Sequence, residues 1–89
     1  MMHQLIIDVR EPEEYERGHV EGAINIPPSE IMSGTDKLNN VPKDDQIILY
    51  CLSGARSNAS MAYLKRLGFT NLINGINKDQ VEARLKKSS

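Results

Sequence analysis

Tryptophan is missing, phenylalanine occurs once, and aromatic residues make up only 4% of the 89-residue chain. That leaves little to stack on bases, and a net charge of −1 leaves no basic footprint for nucleic acid or an anionic membrane surface. No apolar stretch reaches the length of a membrane span. The chain has one cysteine, which cannot close an internal disulfide, so the fold does not depend on an oxidising compartment. His3 and His19 together with that cysteine do not give zinc-ligand spacing. No glycine-rich dinucleotide or phosphate-loop pattern follows a strand, so neither a metal nor a cofactor is expected. Repeats, low-complexity tracts and linkers are missing as well. Met1-Met2-His3-Gln4 runs straight into an apolar segment without a secretory leader, which predicts a cytoplasmic protein, or a periplasmic one if a leader has been removed.

What remains is an ordinary globular composition, 39% hydrophobic and 26% charged, sized for one small domain over residues 1–89. Short apolar runs alternate with helical patterns. Leu5-Ile6-Ile7 reads as a buried strand, and Pro12 with acids around it opens a short helix that Gly18 closes. Ala23 to Ile26 is a second strand, stopped by Pro27-Pro28, and Ser29 to Met32 a helical turn. Ile47 to Tyr50 is a strand buried on both faces, and Ser57 to Leu67 a helix with a Met61/Leu64/Leu67 core stripe. Gly68-Phe69 fits a helix C-terminal cap. Asn71 to Ile73 is a fourth strand, Asn74-Gly75 a turn, and Asn77 the cap of a last helix. Such alternation predicts an α/β fold: one three-layer domain, an open parallel sheet of about four to five strands with helices on both faces. A bare sheet edge leaves a monomer or a weak homodimer open.

The chain is organised around Cys51. It ends the third strand and is followed by Leu52-Ser53-Gly54-Ala55-Arg56, five loop residues ahead of a helix start. Open α/β sheets place their ligands at the carboxyl ends of strands. A helix start offers free N–H groups and positive dipole, which lower a facing thiol's pKa. Gly54 permits the positive φ that an anion-binding loop needs, and Arg56 adds a planar charged fork. This makes Cys51 a nucleophile in an anion pocket, against the alternative of a small buried hydrophobe.

Three segments in register, Asp8-Val9-Arg10-Glu11-Pro12-Glu13-Glu14-Tyr15, Gly18 to Pro27 and Cys51 to Ser57, resemble the rhodanese (sulfurtransferase) homology domain, most closely its short single-domain bacterial type. The similarity runs from about Leu5 to Gly75. It implies a doubly covered parallel sheet and a thiosulfate sulfurtransferase. Cys51 would take sulfane sulfur from thiosulfate or another persulfide donor, hold it as a persulfide in a cradle of Leu52, Ser53, Gly54, Ala55 and Arg56, and pass it to cyanide or a thiol. The sequence departs from the family at two places. The strand and helix that usually precede Asp8-Val9-Arg10 have no counterpart, and Ile76 stands where a second glycine is usual, with no tryptophan downstream.

Other residues carry two readings each. Asp8 and Arg10, at a strand end, either position substrate or form structural pairs, Arg10 with Glu14 or Asp8 with a loop N–H. His19 is an acid–base group or, as sulfur transfer needs no strong base, an organiser of its loop. Arg56 attracts the dianionic donor or ties the loop to a carboxylate such as Asp8. Two further functions are weighed. A sulfur-carrier or protein-interaction module would show little stand-alone activity. A cysteine phosphatase or arsenate reductase would place five residues between cysteine and arginine, whereas four stand here.

Overall fold

The computed structural model describes residues 4–88. His3 therefore lies outside the described residues. The chain begins with strand β1 (Gln4–Asp8), whose burial deepens toward its carboxyl end. Helix α1 (Pro12–Glu16) opens with proline in its first turn and a capping box in which the Glu11 amide donates to the Glu14 carboxylate at 2.9 Å. Strand β2 (Ile24–Asn25) and helix α2 (Pro28–Ser33) follow, then a 3-10 turn at Asp36–Leu38. Strand β3 (Gln46–Cys51), helix α3 (Ala55–Arg66), strand β4 (Leu72–Asn77) and helix α4 (Lys78–Ser88) complete the chain.

The four strands form one wholly parallel sheet in the order β2-β1-β3-β4. β3 lies inside it, and Ile47, Ile48, Leu49 and Tyr50 are all fully buried, as its continuous apolar run requires. Side-chain alternation splits the core into two layers. Ile7, Val9, Ile47, Leu49 and Cys51 pack toward Ile31 of α2 and Leu64 of α3; Ile6, Ile48 and Tyr50 pack toward Val20, Ala23 and Val81 of α4. The predicted class is thus the observed one, with four strands. None of the helices among the described residues is long and apolar enough to cross a membrane.

Two helix-end signals hold. Gly68 adopts φ 102° and the Phe69 amide donates back to the Leu64 carbonyl at 3.2 Å, while Asn77 accepts from the Gln80 amide at 2.9 Å.

Three local expectations need correction. Helix α3 starts at Ala55, two residues ahead of Ser57, because Gly54 in the left-handed region (φ 93°) turns the chain at once into the helix. The Met61/Leu64/Leu67 stripe is only partly core: Leu67 is 48% exposed, and the buried face is Ser57, Ser60 and Leu64, small residues that let α3 sit close on the sheet. Asn74-Gly75 is no turn but lies within β4. The ladder steps from Leu49 opposite Asn74 to Tyr50 opposite Ile76, so Gly75 is the extra residue of a bulge. A Cβ on Gly75 would fall 2.4 Å from the Val81 side chain and 2.9 Å from that of Ile48, so packing against α4 overrides the turn propensity of Asn-Gly.

Candidate active site

Cys51 is the last residue of β3 and is buried. Only Leu52, Ser53 and Gly54 separate it from α3, so Ala55 and Arg56 stand in the first turn of that helix rather than in a loop. The tight turn aims N–H groups at the sulfur. The Gly54 amide donates to Cys51 Sγ at 3.1 Å, and the Ser57 hydroxyl lies 3.6 Å from the same atom. Burial pushes the thiol up, but hydrogen bonds from the Ser57 amide and hydroxyl and from the Ser53 and Gly54 amides outweigh it and bring Cys51 down to about 7. Anion stabilisation at a strand–helix junction is therefore built into the backbone. Leu52 turns outward and is 61% exposed; Ser53 and Ala55 are exposed too.

Arg56 does not reach Asp8. It forms a two-pronged ion pair with Glu14 of α1, Nη1 to Oε1 at 2.8 Å and Nη2 to Oε2 at 3.2 Å. Glu14 is held near 2, first by that guanidinium and then by the Glu11 amide. The Glu14 carboxylate, and to a lesser degree the nearby Cys51 sulfur, raises the Arg56 guanidinium above its ordinary value. A cleft of about 390 Å³ opens beside this pair, lined by Arg10, Glu14, Arg17, Gly18, Leu52 and Lys78.

Asp8 and Arg10 pair with each other, so Arg10 does not take Glu14 as its partner, while Asp8 does accept a loop N–H, that of Arg10. Asp8 is fully buried; it accepts from the Arg10 amide at 2.9 Å, from Arg10 Nη2 at 2.7 Å and from the Tyr50 hydroxyl at 2.8 Å. Arg10 Nη2 also donates to the Gly18 carbonyl at 2.7 Å, and Tyr50 accepts from the Val20 amide at 3.0 Å. These bonds tie the loop leaving β1 to the loop entering β2, one wall of the cleft. Burial first, with the bond to Asp8, pushes the Tyr50 hydroxyl up. His19 stacks on Tyr15 with ring centroids 3.6 Å apart and donates through Nδ1 to the Tyr15 carbonyl at 2.9 Å, within the same wall.

Two residues of the site have no role legible in the sequence: Ser57, which spacing marks as a helix start and which ends the Cys51–Ser57 segment, and Asn74, which is marked as a turn. Ser57 Oγ lies 2.6 Å from Asn74 Oδ1, and Asn74 Nδ2 donates to the Gly54 carbonyl at 3.0 Å. The β4 bulge brings Asn74 beneath the loop. The Asn-Gly pair marks a backbone irregularity there, but nothing in it says that the irregularity faces Cys51.

A parallel α/β sheet ending in a cysteine, with a short loop whose amides converge on the sulfur, defines the class of cysteine-loop α/β domains. Comparison with known proteins narrows this. The family model for the rhodanese-like domain matches residues 1–80, and the chain belongs to that family. It is 41% identical over 69 residues to the putative sulfur carrier protein YrkF of Bacillus subtilis, covering 78% of this chain and 36% of that one. It is also 41% identical over 69 residues to the thiosulfate sulfurtransferase PspE of Escherichia coli, covering 76% of this chain and 64% of PspE. The chain thus spans less than two thirds of these curated relatives. Among solved structures, a rhodanese with anions from E. coli superposes with a TM-score of 0.76 at 35% identity, over 86% of this chain and 89% of that one.

Proposed function

We propose that the chain is a single-domain sulfurtransferase that moves sulfane sulfur through a Cys51 persulfide. The observation that carries this is the convergence of the Gly54 amide and the Ser57 hydroxyl on a thiol brought down to about 7. At neutral pH a large share of Cys51 is thiolate. The thiolate attacks the outer sulfur of thiosulfate, the S–S bond of the donor breaks, and sulfite leaves with the electron pair. The terminal sulfur of Cys51–S–S⁻ carries the new charge, which the amides of residues 52–56 and the Arg56 guanidinium offset. An acceptor thiolate or cyanide then attacks that sulfur, and the Cys51 thiolate departs as leaving group. Asp8, Arg10 and His19 support the site by fixing the cleft wall. A monomer or weak homodimer, cytoplasmic or periplasmic, belongs to the same proposal, with the open edges of the parallel sheet available for pairing.

Several features support sulfur over phosphate as cargo. Four residues separate Cys51 from Arg56, a smaller ring than a tetrahedral oxyanion needs, and Arg56 is already engaged by Glu14. A sulfur-carrier role that depends on a partner protein is the second reading, favoured by the burial of Cys51 beneath an exposed Leu52. Intact-mass measurement after incubation with thiosulfate and removal of the donor tests both. One added sulfur atom on the wild type and none on Cys51→Ser is expected. Thiocyanate production on adding cyanide separates the enzyme from the carrier, and a wild type that takes up no sulfur overturns the donor assignment.

A further inference from the structure

We infer that Asn74 is a positioning residue of the Cys51 site: it holds the Ser57 hydroxyl in reserve beside the sulfur and lets its proton follow charge onto that atom. The inference rests on Cys51 being the nucleophile.

The geometry is a proton inventory. Ser57 Oγ has a single hydrogen and three acceptors within reach: Asn74 Oδ1 at 2.6 Å, the Gly54 carbonyl at 3.1 Å and Cys51 Sγ at 3.6 Å. Beside a neutral thiol the shortest contact takes the proton, so the hydroxyl points at Asn74. The carboxamide is itself fixed from both sides by backbone. Its Oδ1 accepts from the Ile76 amide at 3.0 Å, and its Nδ2 donates to the Gly54 carbonyl at 3.0 Å. A donor on one side and an acceptor on the other leave it one orientation.

When charge appears on the sulfur, the thiolate becomes the stronger acceptor, since charge-assisted hydrogen bonds are about twice as strong as neutral ones. The hydroxyl can turn to it without orphaning a buried acceptor. Asn74 Oδ1 keeps the Ile76 N–H, and the Gly54 carbonyl keeps the Asn74 N–H. Leaving either unpaired would oppose the turn. Asn74 thus makes the rotation of Ser57 inexpensive. The bulge is what permits this, because Gly75 and the left-handed Ile76 (φ 74°) carry β4 across the base of the loop. The charged groups facing this locus from the packed elements are Arg56 of α3, its partner Glu14 of α1, Arg10, Arg17 and Lys78 around the cleft, and Arg84 and Lys87 of α4, which line a cavity together with Asn74.

The test is the rate of Cys51 alkylation by iodoacetamide against pH, on the full chain, with folding checked by circular dichroism. Asn74→Ala and Ser57→Ala are each expected to raise the alkylation midpoint by about one unit, roughly fivefold less thiolate at neutral pH. The double variant is expected to raise it no further than either single change, because Asn74 acts through Ser57. An unshifted midpoint in folded Asn74→Ala, or shifts that add in the double variant, overturns the inference. Should Asn74→Ala fail to fold, Asn74→Asp keeps the shape and both acceptor bonds, and its carboxylate withholds the hydroxyl from the sulfur. Its midpoint is expected to rise at least as far, and an unchanged midpoint overturns the inference equally. Sulfur loading of the wild type is read separately. A wild type that takes up no sulfur sinks the transfer proposal, and the midpoint comparison still decides the role of Asn74.

Discussion

Arg56 and Glu14 form a bidentate ion pair that joins the first turn of α3 to α1 across the mouth of the Cys51 site, with N···O distances of 2.8 and 3.2 Å. The same Glu14 Oε1 also takes the Glu11 amide at 2.9 Å. One carboxylate thus caps a helix and neutralises the cation nearest the nucleophile.

Glu14→Gln removes that neutralising charge, so the Arg56 guanidinium is left to an incoming dianion. A partly exposed pair of this kind is worth about 1 kcal/mol, so KM for thiosulfate should fall roughly fivefold with little change in kcat. A rise in KM would show instead that Glu14 presents Arg56 to the donor. The pair also has a pH signature. The folded-state pKa of Glu14 is lowered to about 2, so its stabilisation is fully present above the ordinary carboxylate value of about 4.3 and is lost as pH falls toward 2. Urea midpoints of wild type and Glu14→Gln should therefore converge over that interval.

Cys51 titrates lower in the folded chain than in the unfolded one. Its alkylation by iodoacetamide should show a midpoint near 7, and sulfur uptake should rise through the same range. A depressed folded-state pKa makes the linked stability fully present above the ordinary thiol value, about 8.5, and lost as pH falls through about 7. Wild type should gain stability relative to Cys51→Ser between those limits, measured as the difference in urea midpoint. A flat difference would show that the amides do not hold the sulfur anion.

The legible part of this molecule is the part written in local pattern. Ile47 to Tyr50 could be read as an interior strand because every position in it is apolar and every position is buried. Pro12, Gly68 and Asn77 mark helix ends by chemistry that acts over a few residues. Cys51, Gly54 and Arg56 stand out because a strand–loop–helix junction makes their chemistry local as well. The partners of these residues were not readable, since they come from remote segments. Arg56 meets Glu14, 42 positions away, where Asp8 was the expected carboxylate, and Asp8 is taken by Arg10 and Tyr50. Asn74-Gly75 misleads for the same reason: its turn propensity is real, but Val81 and Ile48 decide how the backbone runs. Asn74 reaches Ser57 through the bulge, and nothing in the Asn74-Gly75 pair says which way that bulge faces.

Tyr50→Phe tests the wall of the cleft. The hydroxyl donates to Asp8 at 2.8 Å and accepts from the Val20 amide at 3.0 Å, and all three residues are buried. Removing it leaves the amide unpaired and the carboxylate short of a donor, a loss of about 1–3 kcal/mol. In a domain this small each kcal/mol lowers Tm by about 4–8 °C. Tyr50 packs on the α4 side of the sheet and Cys51 on the α3 side, so the alkylation midpoint of Cys51 should stay at its wild-type value. A shifted midpoint would mean that the wall, and not the loop alone, sets the thiol.

Gly75 is the position where β4 can bear least. An added Cβ would lie 2.4 Å from Val81 Cγ2, 2.9 Å from Ile48 Cγ2 and 3.2 Å from the Leu49 carbonyl oxygen. Two of these neighbours are fully buried side chains of the same core layer, and the third is backbone, so none can swing aside. Gly75→Ala should cost about 1–3 kcal/mol by overpacking, measured by urea unfolding. Val81→Ala alone should also destabilise, by opening a cavity. In the double variant the space vacated by Val81 receives the new methyl group, so its loss should be smaller than the sum of the two single losses. Full additivity would show that the clash is with the strand backbone and Ile48 rather than with α4. The bulge would then be held open by the sheet itself, and Asn74 would keep its place under the loop even with α4 displaced.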